Sequence, residues 1–146
     1  GADTFDYYYQ DGVGGWTKQA AQSQWSNTQY DDGSGTLASL SPNRYGVHWL
    51  YLEADGNLVL LYGRGNYSSQ LGAEGETAPA TVPLRIQSHG RLLGRLVFQQ
   101  NASTAIGSSF FFKAPLDFSA RKTLAERPND SISCRVRAMV SNSKIV

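Results

Sequence analysis

Hydrophobic positions up to about residue 113 fall into short segments that are separated by turn-forming residues about every ten positions. Aromatic and β-branched residues dominate these segments, and clusters such as DGVGG, DDGSG and PNRYG lie between them. This pattern is typical of β-strands joined by tight turns. Besides a central hairpin, it predicts strands over 4–10, 22–30, 36–40, 82–88, 91–99 and 105–113.

The regular spacing of strands and turns predicts an all-β domain, either a sandwich or a barrel-like sheet. Residues 67–80 lack a strand period, and we expect a loop there with at most one helical turn. Gly94 interrupts the apolar run 91–99, which indicates a β-bulge or a short helix over 91–98. We therefore assign residues 1–113 to one β-rich domain and residues 114–146 to a polar tail, in which 132–140 is a candidate strand.

The segment 42–67 has the densest patterning in the chain. If Asp55 and Gly56 form a two-residue type I′ turn, Leu52 faces Val59 and the pairing continues outward from there. A three-residue loop with a bulge would shift this register. In the two-residue register one face carries Leu50, Leu52, Val59 and Leu61, and the other carries Val47, Trp49, Tyr51, Leu58, Leu60 and Tyr62.

Both faces of this hairpin are apolar, although a sheet in a two-layer domain needs only one apolar face. Each large apolar side chain left in water forgoes about 1.5–3 kcal/mol of burial. The second face must therefore pack against another layer, another subunit or a ligand.

Composition narrows the functional classes. The chain of 146 residues suits one domain, and its 15 glycines with only 17% charged residues favour an all-β fold over a helical bundle. Acidic residues outnumber basic ones nine to three up to residue 80, and basic residues lead ten to three afterwards. The arginines are scattered among apolar residues, which favours a solvated face over a site for an anionic partner. We therefore predict no nucleic-acid partner.

The sequence has no recognisable membrane helix or signal peptide. No apolar run approaches the roughly 20 residues of a membrane helix, so we predict no membrane insertion. The first ten residues lack the basic and apolar regions of a signal peptide. We expect this chain to be the end of a longer polypeptide.

Residues for catalysis or metal binding are sparse. The two histidines, His48 and His89, have no metal-ligand spacing; His48 lies inside the hairpin as a structural residue and His89 lies in a turn. Cys134 is the single cysteine and has no candidate partner. Asp31 and Asp32 fit a turn, and Glu74 and Glu76 fit a solvated loop, better than they fit a glycosidase pair. The sequence therefore predicts a protein that is not an enzyme, with no metal and no cofactor.

Aromatic residues are the stronger functional signal. They cluster in the polar N-terminal third, beside Asn, Gln, Ser and Asp side chains. Flat rings beside amide and hydroxyl groups suit sugar faces and protein interfaces equally. Trp16 and Trp25 are predicted to be surface residues. The candidate receptor or carbohydrate site is Trp16, Trp25, Tyr30, Asp31 and Asp32.

Two resemblances follow from these motifs. EADGNLVLLY resembles one copy of the mannose-binding bulb-lectin pattern QxDxNxVxY: Asp55, Asn57 and Val59 match it, whereas Glu53 and Leu61 do not. Those lectins repeat the motif, and this chain has one copy. A single-domain lectin therefore stays an alternative.

The second resemblance is broader and covers about residues 5–112. NTQYDDGSGTL, NRYGVHW, the DG turn and YGRGNY occur in an order that resembles modules near the C-terminal ends of bacteriophage tail fibres and tail-tip proteins. The resemblance implies a trimeric, all-β, host-facing module of the virion tail, at the distal, extracellular tip of a fibre. It also implies a partner for the second hairpin face: we expect Trp49, Tyr51, Leu60 and Tyr62 at the trimer interface.

These lines lead to one main hypothesis and two alternatives. The main hypothesis is a homotrimeric fibre-tip module that binds a bacterial cell-surface glycan or protein without catalysis. The first alternative is a structural module for trimerisation or fibre assembly. The second is a lectin domain or a fragment of a tailspike depolymerase.

Overall fold

The computed structural model describes residues 3–110 of the chain. The predicted tail 114–146, with its candidate strand 132–140, lies outside the described residues, as does the proposed domain boundary at 113. The described part is mostly β-structure with two short helices. Its elements are β1 Phe5–Gln10, β2 Trp16–Gln22, β3 Gln29–Asp31, β4 Leu37–Ser39, β5 Tyr45–Glu53, β6 Leu58–Tyr62, α1 Gln70–Glu74, α2 Leu84–His89, β7 Gly90–Gln99 and β8 Gly107–Phe110.

Six strands form one mixed sheet in the order β2-β1-β6-β5-β7-β8, and β3 pairs with β4 in a separate two-stranded ribbon. All neighbours in the large sheet are antiparallel except β1 and β6, which run parallel. Within residues 3–110 this sheet is open, with β2 and β8 as its edges, and it does not close into a barrel. The all-β prediction is therefore confirmed at this level.

The central hairpin β5–β6 exists, but the two-residue register is wrong. The backbone N of Glu53 donates to Asn57 O, and Leu52 pairs with Leu58. The loop therefore has three residues, Ala54 to Gly56, and Gly56 closes it at a φ of 85° in the left-handed region. Because side chains alternate, this one-residue shift moves every β6 side chain to the opposite face from the predicted one.

Both faces of the hairpin are buried, as the sequence predicts. The first face is an aromatic and aliphatic core that the segment 23–40, including the β3–β4 ribbon, covers. The second face is covered by α1, α2 and the chain around them. The first-face core contains Phe5, Tyr7, Trp25, Leu40, Leu50, Leu58, Leu60, Tyr62, Leu93, Leu96 and Phe98. The second-face core contains Tyr8, Val47, Trp49, Tyr51, Val59, Leu61, Ala73, Ile86 and Val97.

Because both faces are covered, the four residues expected at a trimer interface are not exposed. Trp49, Tyr51, Leu60 and Tyr62 are all buried within a single chain. They also lie on two different faces, because Leu60 and Tyr62 belong to the first-face core. The layer that the second face needed comes from the same chain, so these four side chains present no surface to a second copy.

The segment 82–88, predicted as a strand, contains helix α2 instead. The backbone N of Gln87 donates to Pro83 O, and the Ser88 hydroxyl donates to Leu84 O. Ile86 is the buried residue of the helix, and a Cβ atom on Gly90 would lie 2.6 Å from its side chain. One buried position in six suits a helix that lies on a sheet, whereas a strand would bury every second side chain.

Two further local predictions are confirmed, and the strand over 22–30 is wrong for most of its length. Helix α1 is a single short helix within 67–80, with the Ser69 hydroxyl accepting a hydrogen bond from Gly72 N. The register between β5 and β7 shifts beside Gly94, so the predicted bulge is present and the helix over 91–98 is absent. The stretch 22–30 is mostly irregular, and only its end enters β3.

Candidate functional site at the glycine loops

Three glycine-containing loops meet at one end of the large sheet: 11–15, 31–35 and 63–66, here called the glycine-loop end. A Cβ atom on Gly12 would lie 2.7 Å from Ser34 O, and one on Gly35 would lie 2.6 Å from Asp11 O. Both glycines also have positive φ, 79° and 97°. Such an approach of one backbone to another is open only to glycine. The first two loops are therefore packed together and not separate flexible turns.

Asp31 ties the three loops together from below. Its Oδ2 accepts a hydrogen bond from Gln10 N at 2.9 Å, and its Oδ1 accepts one from Gly33 N at 2.8 Å. Its own backbone N donates to Gly63 O at 2.9 Å. The carboxylate is buried and fully engaged. Asp31 therefore positions the site and is not available to a ligand.

Arg64 is the cationic group of the glycine-loop end. Its Nη1 contacts the side-chain oxygen of Gln10 and lies 3.4 Å from Asp31 Oδ2. Its side chain is still 41% exposed. The guanidinium is thus held by two anchors while part of it faces solvent, which orients its free N–H groups for a ligand.

The first two loops also carry acidic and apolar groups. Asp11 Oδ1 accepts hydrogen bonds from Val13 N and Gly15 N, and Asp32 Oδ1 accepts one from Ser34 N. Hydrogen bonds from Ser34 lower the pKa of the Asp32 carboxyl, so it is ionised at neutral pH. Val13 stands at the tip of its loop with 90% of its surface exposed.

The structure brings four of the five predicted site residues to this end. Trp16 pairs with Gln10, whose backbone contacts Asp31, and Tyr30 immediately precedes Asp31 in β3. Both rings are only partly buried, but they pack on opposite faces: Trp16 against the second-face core and Tyr30 against the first. Asp32 is exposed. These residues adjoin a surface but do not form one aromatic platform.

Trp25 is not part of this surface. The prediction that it is exposed is wrong, because it lies buried in the first-face core, 5.0 Å between ring centroids from Phe98 and 6.1 Å from His48. Its neighbours in sequence are polar because segment 23–28 has one side in solvent. The single large apolar residue of that segment turns inward, where burial stabilises it.

Glu76 is a functional group that the sequence does not reveal. It was expected to be solvated, yet its carboxylate accepts hydrogen bonds from Trp49 Nε1 at 2.8 Å, from the Tyr67 hydroxyl at 2.8 Å and from Arg64 N. It thereby fixes the third loop, and with it Arg64, to the second face. The sequence could have indicated Arg64 as a site residue, because two glycines flank it in YGRGNY. No local pattern marks Glu76.

The glycine-loop end combines groups of different polarity. It offers a partly exposed guanidinium, an ionised carboxylate and an apolar tip on loops that a rigid sheet positions, an arrangement common in recognition sites. Among residues 3–110, no group of His, Cys, Asp and Glu side chains could hold a metal ion. In that same range no helix is long and apolar enough to cross a membrane. Comparison with protein-family models, curated proteins and solved structures gives no match to this chain.

Proposed function

We propose that this domain is a non-catalytic receptor-binding module at the tip of a bacteriophage tail fibre, with the glycine-loop end as its contact surface. The receptor would be a glycan or protein of the bacterial cell surface. The observation that carries the proposal is the packing of three loops, which carry Val13, Asp32 and Arg64, around the buried Asp31. The sequence resemblance to tail-fibre modules supports the biological setting, at the extracellular end of the virion tail.

The side chains suit a ligand with mixed polarity. The N–H groups of Arg64 donate, and the carboxylate of Asp32 accepts. Hydroxyl groups of a sugar, or the backbone and side-chain amides of a protein loop, need both kinds of partner. Val13 adds an apolar contact at the loop tip, where it would be covered on binding.

The test is the binding of fluorescently labelled domain to susceptible bacteria. The variant Val13→Ser is expected to weaken binding at least about fivefold, as is usual for a central contact residue. Ile106→Ser is the matched control, because Ile106 is another exposed apolar side chain, 42% exposed, and lies outside the three glycine-containing loops. Equal binding by wild type and Val13→Ser, or no binding of wild type to any susceptible strain, would reject the glycine-loop end as the receptor surface.

A second candidate function is trimerisation or assembly of the fibre, and one observation favours it. Leu71 and Leu84 on the helices of the second face are 79% and 76% exposed. Since Trp49, Tyr51, Leu60 and Tyr62 are buried within one chain, we propose these helix residues as the contacts of a homotrimer. A double change, Leu71→Ser with Leu84→Ser, should lower the mass measured by light scattering from about three chains to one. A wild-type domain that is monomeric at micromolar concentration would contradict the trimer.

We also propose that the domain is a small, asymmetric sandwich. The packing of the β3–β4 ribbon on the first face of the large sheet supports this proposal.

The depolymerase alternative is tested by incubating the domain with host capsule or lipopolysaccharide. We expect no loss of polymer, because the Asp31 carboxylate is occupied by backbone donors and by Arg64.

A further inference from the structure

His48 lies at the centre of the first-face core, on β5, and is completely buried. Its Nε2 is 2.5 Å from the backbone O of Ser26. Because a carbonyl oxygen only accepts, Nε2 must carry the hydrogen, and Nδ1 of the neutral ring is then the unprotonated nitrogen. Nδ1 has no hydrogen-bond partner among the protein atoms of residues 3–110.

The groups that face the imidazole from every neighbouring element are uncharged. Tyr7 of β1, Tyr62 of β6, Phe98 of β7 and Trp25 of segment 23–28 have ring centroids 5.1, 5.2, 4.6 and 6.1 Å away. Burial raises the pKa of the Tyr62 hydroxyl to about 12 and raises that of Tyr7 as well, so both stay neutral. Within the described residues, no carboxylate contacts the ring to offset a positive charge.

Protonation of this ring would therefore place a cation, with a new N–H donor, in an aromatic core that offers it no acceptor. The faces of aromatic rings attract a cation, but the loss of hydration on burying an ion outweighs that attraction. Burial accordingly lowers the pKa of His48 to about 4. The folded ring stays neutral at a pH where the same ring in water takes up a proton.

His48 also binds the segment that covers the first face. The Tyr7 hydroxyl accepts a hydrogen bond from Ser26 N at 3.0 Å, so His48 and Tyr7 together hold both sides of the Ser26 residue. Segment 23–28 continues into β3, and Leu40 N donates to Thr28 O at 2.7 Å. The cover, residues 23–40, is thus attached to the sheet at Ser26 through His48 and Tyr7, and at Asp31 through Gln10 and Gly63.

We propose that His48 is an acid-sensitive latch: its protonation releases the cover from the first face before the rest of the sheet opens. The open cover exposes the ring to water, where the cation is hydrated. The sign follows from the lowered pKa. The open state binds a proton from about pH 6.5 downward, so closure is most stable above that pH and weakens as the pH falls toward 4. This property does not depend on the proposed receptor function.

The test is native-state hydrogen exchange at single amides, corrected for intrinsic exchange, between pH 7 and 4.5. In the wild type we follow Ser26 and Asp31, whose amides donate out of the cover to the Tyr7 hydroxyl and to Gly63 O. We expect their opening equilibrium to rise by nearly tenfold per pH unit below about pH 6, since one proton is taken up. The amide of Leu60, in the middle of the sheet, should not follow. His48→Gln keeps a donor for Ser26 O but cannot titrate, so its cover amides should show no such rise.

His89→Gln is the matched control, because His89 is the other histidine and is exposed. It should behave like the wild type. A rise of equal size in wild type and His48→Gln, or equal acceleration at Leu60, would overturn the latch. If His48→Gln does not fold, NMR titration of the wild-type imidazoles decides: a His48 ring that titrates near 6.5 in the folded protein overturns the proposal, and one that stays neutral to about pH 4 supports it.

Discussion

The two faces of the large sheet are both buried, but different chemistry holds their covers in place. On the first face, neutral groups bind the cover around Ser26: Tyr7 and His48 contact its backbone, and rings pack around them. The Asp31 carboxylate adds a charged anchor only where this cover reaches the glycine-loop end. On the second face, a carboxylate does so, since Glu76 accepts hydrogen bonds from Trp49 and Tyr67. The middle of the first-face cover therefore depends on packing around Ser26, whereas the second-face cover depends on a charge-assisted network at Glu76.

The largest effect should come from a cavity in the first face. Phe98 is completely buried and stacks on His48 with centroids 4.6 Å apart. Phe98→Ala should lower the free energy of unfolding by about 3–5 kcal/mol, because the ring's packing is lost and the cavity cannot fully collapse. Urea denaturation measures this, with Val13→Ala as a control that should be neutral. A loss below about 1 kcal/mol would show that packing does not hold this cover.

The second-largest loss of stability should come from the hydrogen-bond network of Glu76 on the second face. Glu76→Ala removes the acceptor of Trp49 Nε1 and of the Tyr67 hydroxyl, and we expect a loss of about 2–4 kcal/mol, since unsatisfied buried donors cost about 1–3 kcal/mol each.

Glu74→Ala is its matched control on α1. The Glu74 carboxylate binds the side chain of Gln70 near the surface, so its removal should change the free energy of unfolding little. Urea denaturation measures this free energy for both variants. Equal losses in the two variants would remove the distinction between the covers.

A smaller effect is expected at the glycine-loop end, where both covers meet the sheet. Gly12→Ala should lower the free energy of unfolding by about 1–3 kcal/mol, because a Cβ atom would collide with Ser34 O and the positive φ would be strained. Gly14→Ala has the strain without the collision, since nothing lies within 4 Å of its Cβ position. Receptor binding and unfolding are measured for both. Loss of binding by Gly14→Ala alone would mean that the packing of loops 11–15 and 31–35 does not shape the site.

The sequence revealed strands better than it revealed their register. The DG turn and the apolar runs around it were enough to predict β5 and β6. Asp55-Gly56 suits a two-residue turn and equally the end of a three-residue loop, and only the pairing of Glu53 with Asn57 distinguishes them. The assignment of β6 side chains to faces failed for that reason alone.

Predictions failed elsewhere because the deciding contacts are distant in sequence. Residues 82–88 have a strand-like composition, but they form α2 because Ile86 packs on the second face beside Gly90. Trp25 has polar neighbours, yet Phe98 and His48 cover it. Asp31 was predicted to contact a receptor, while its role as a buried anchor depends on Gln10, 21 positions earlier. Periodicity within one segment carries no information about such pairings.

The parallel pairing of β1 with β6 has a consequence for how the chain folds. Tyr7 is aligned with Leu60, so two adjacent central strands are separated by about fifty residues of chain, and this contact closes a long loop. The β5–β6 hairpin closes a loop of only three residues and can form first. The N-terminal β1–β2 pair then docks as a unit, late and at the rate of a non-local contact. Until it docks, the edge of β6 is an open template, and the nascent domain is most exposed to mispairing with another chain during that interval.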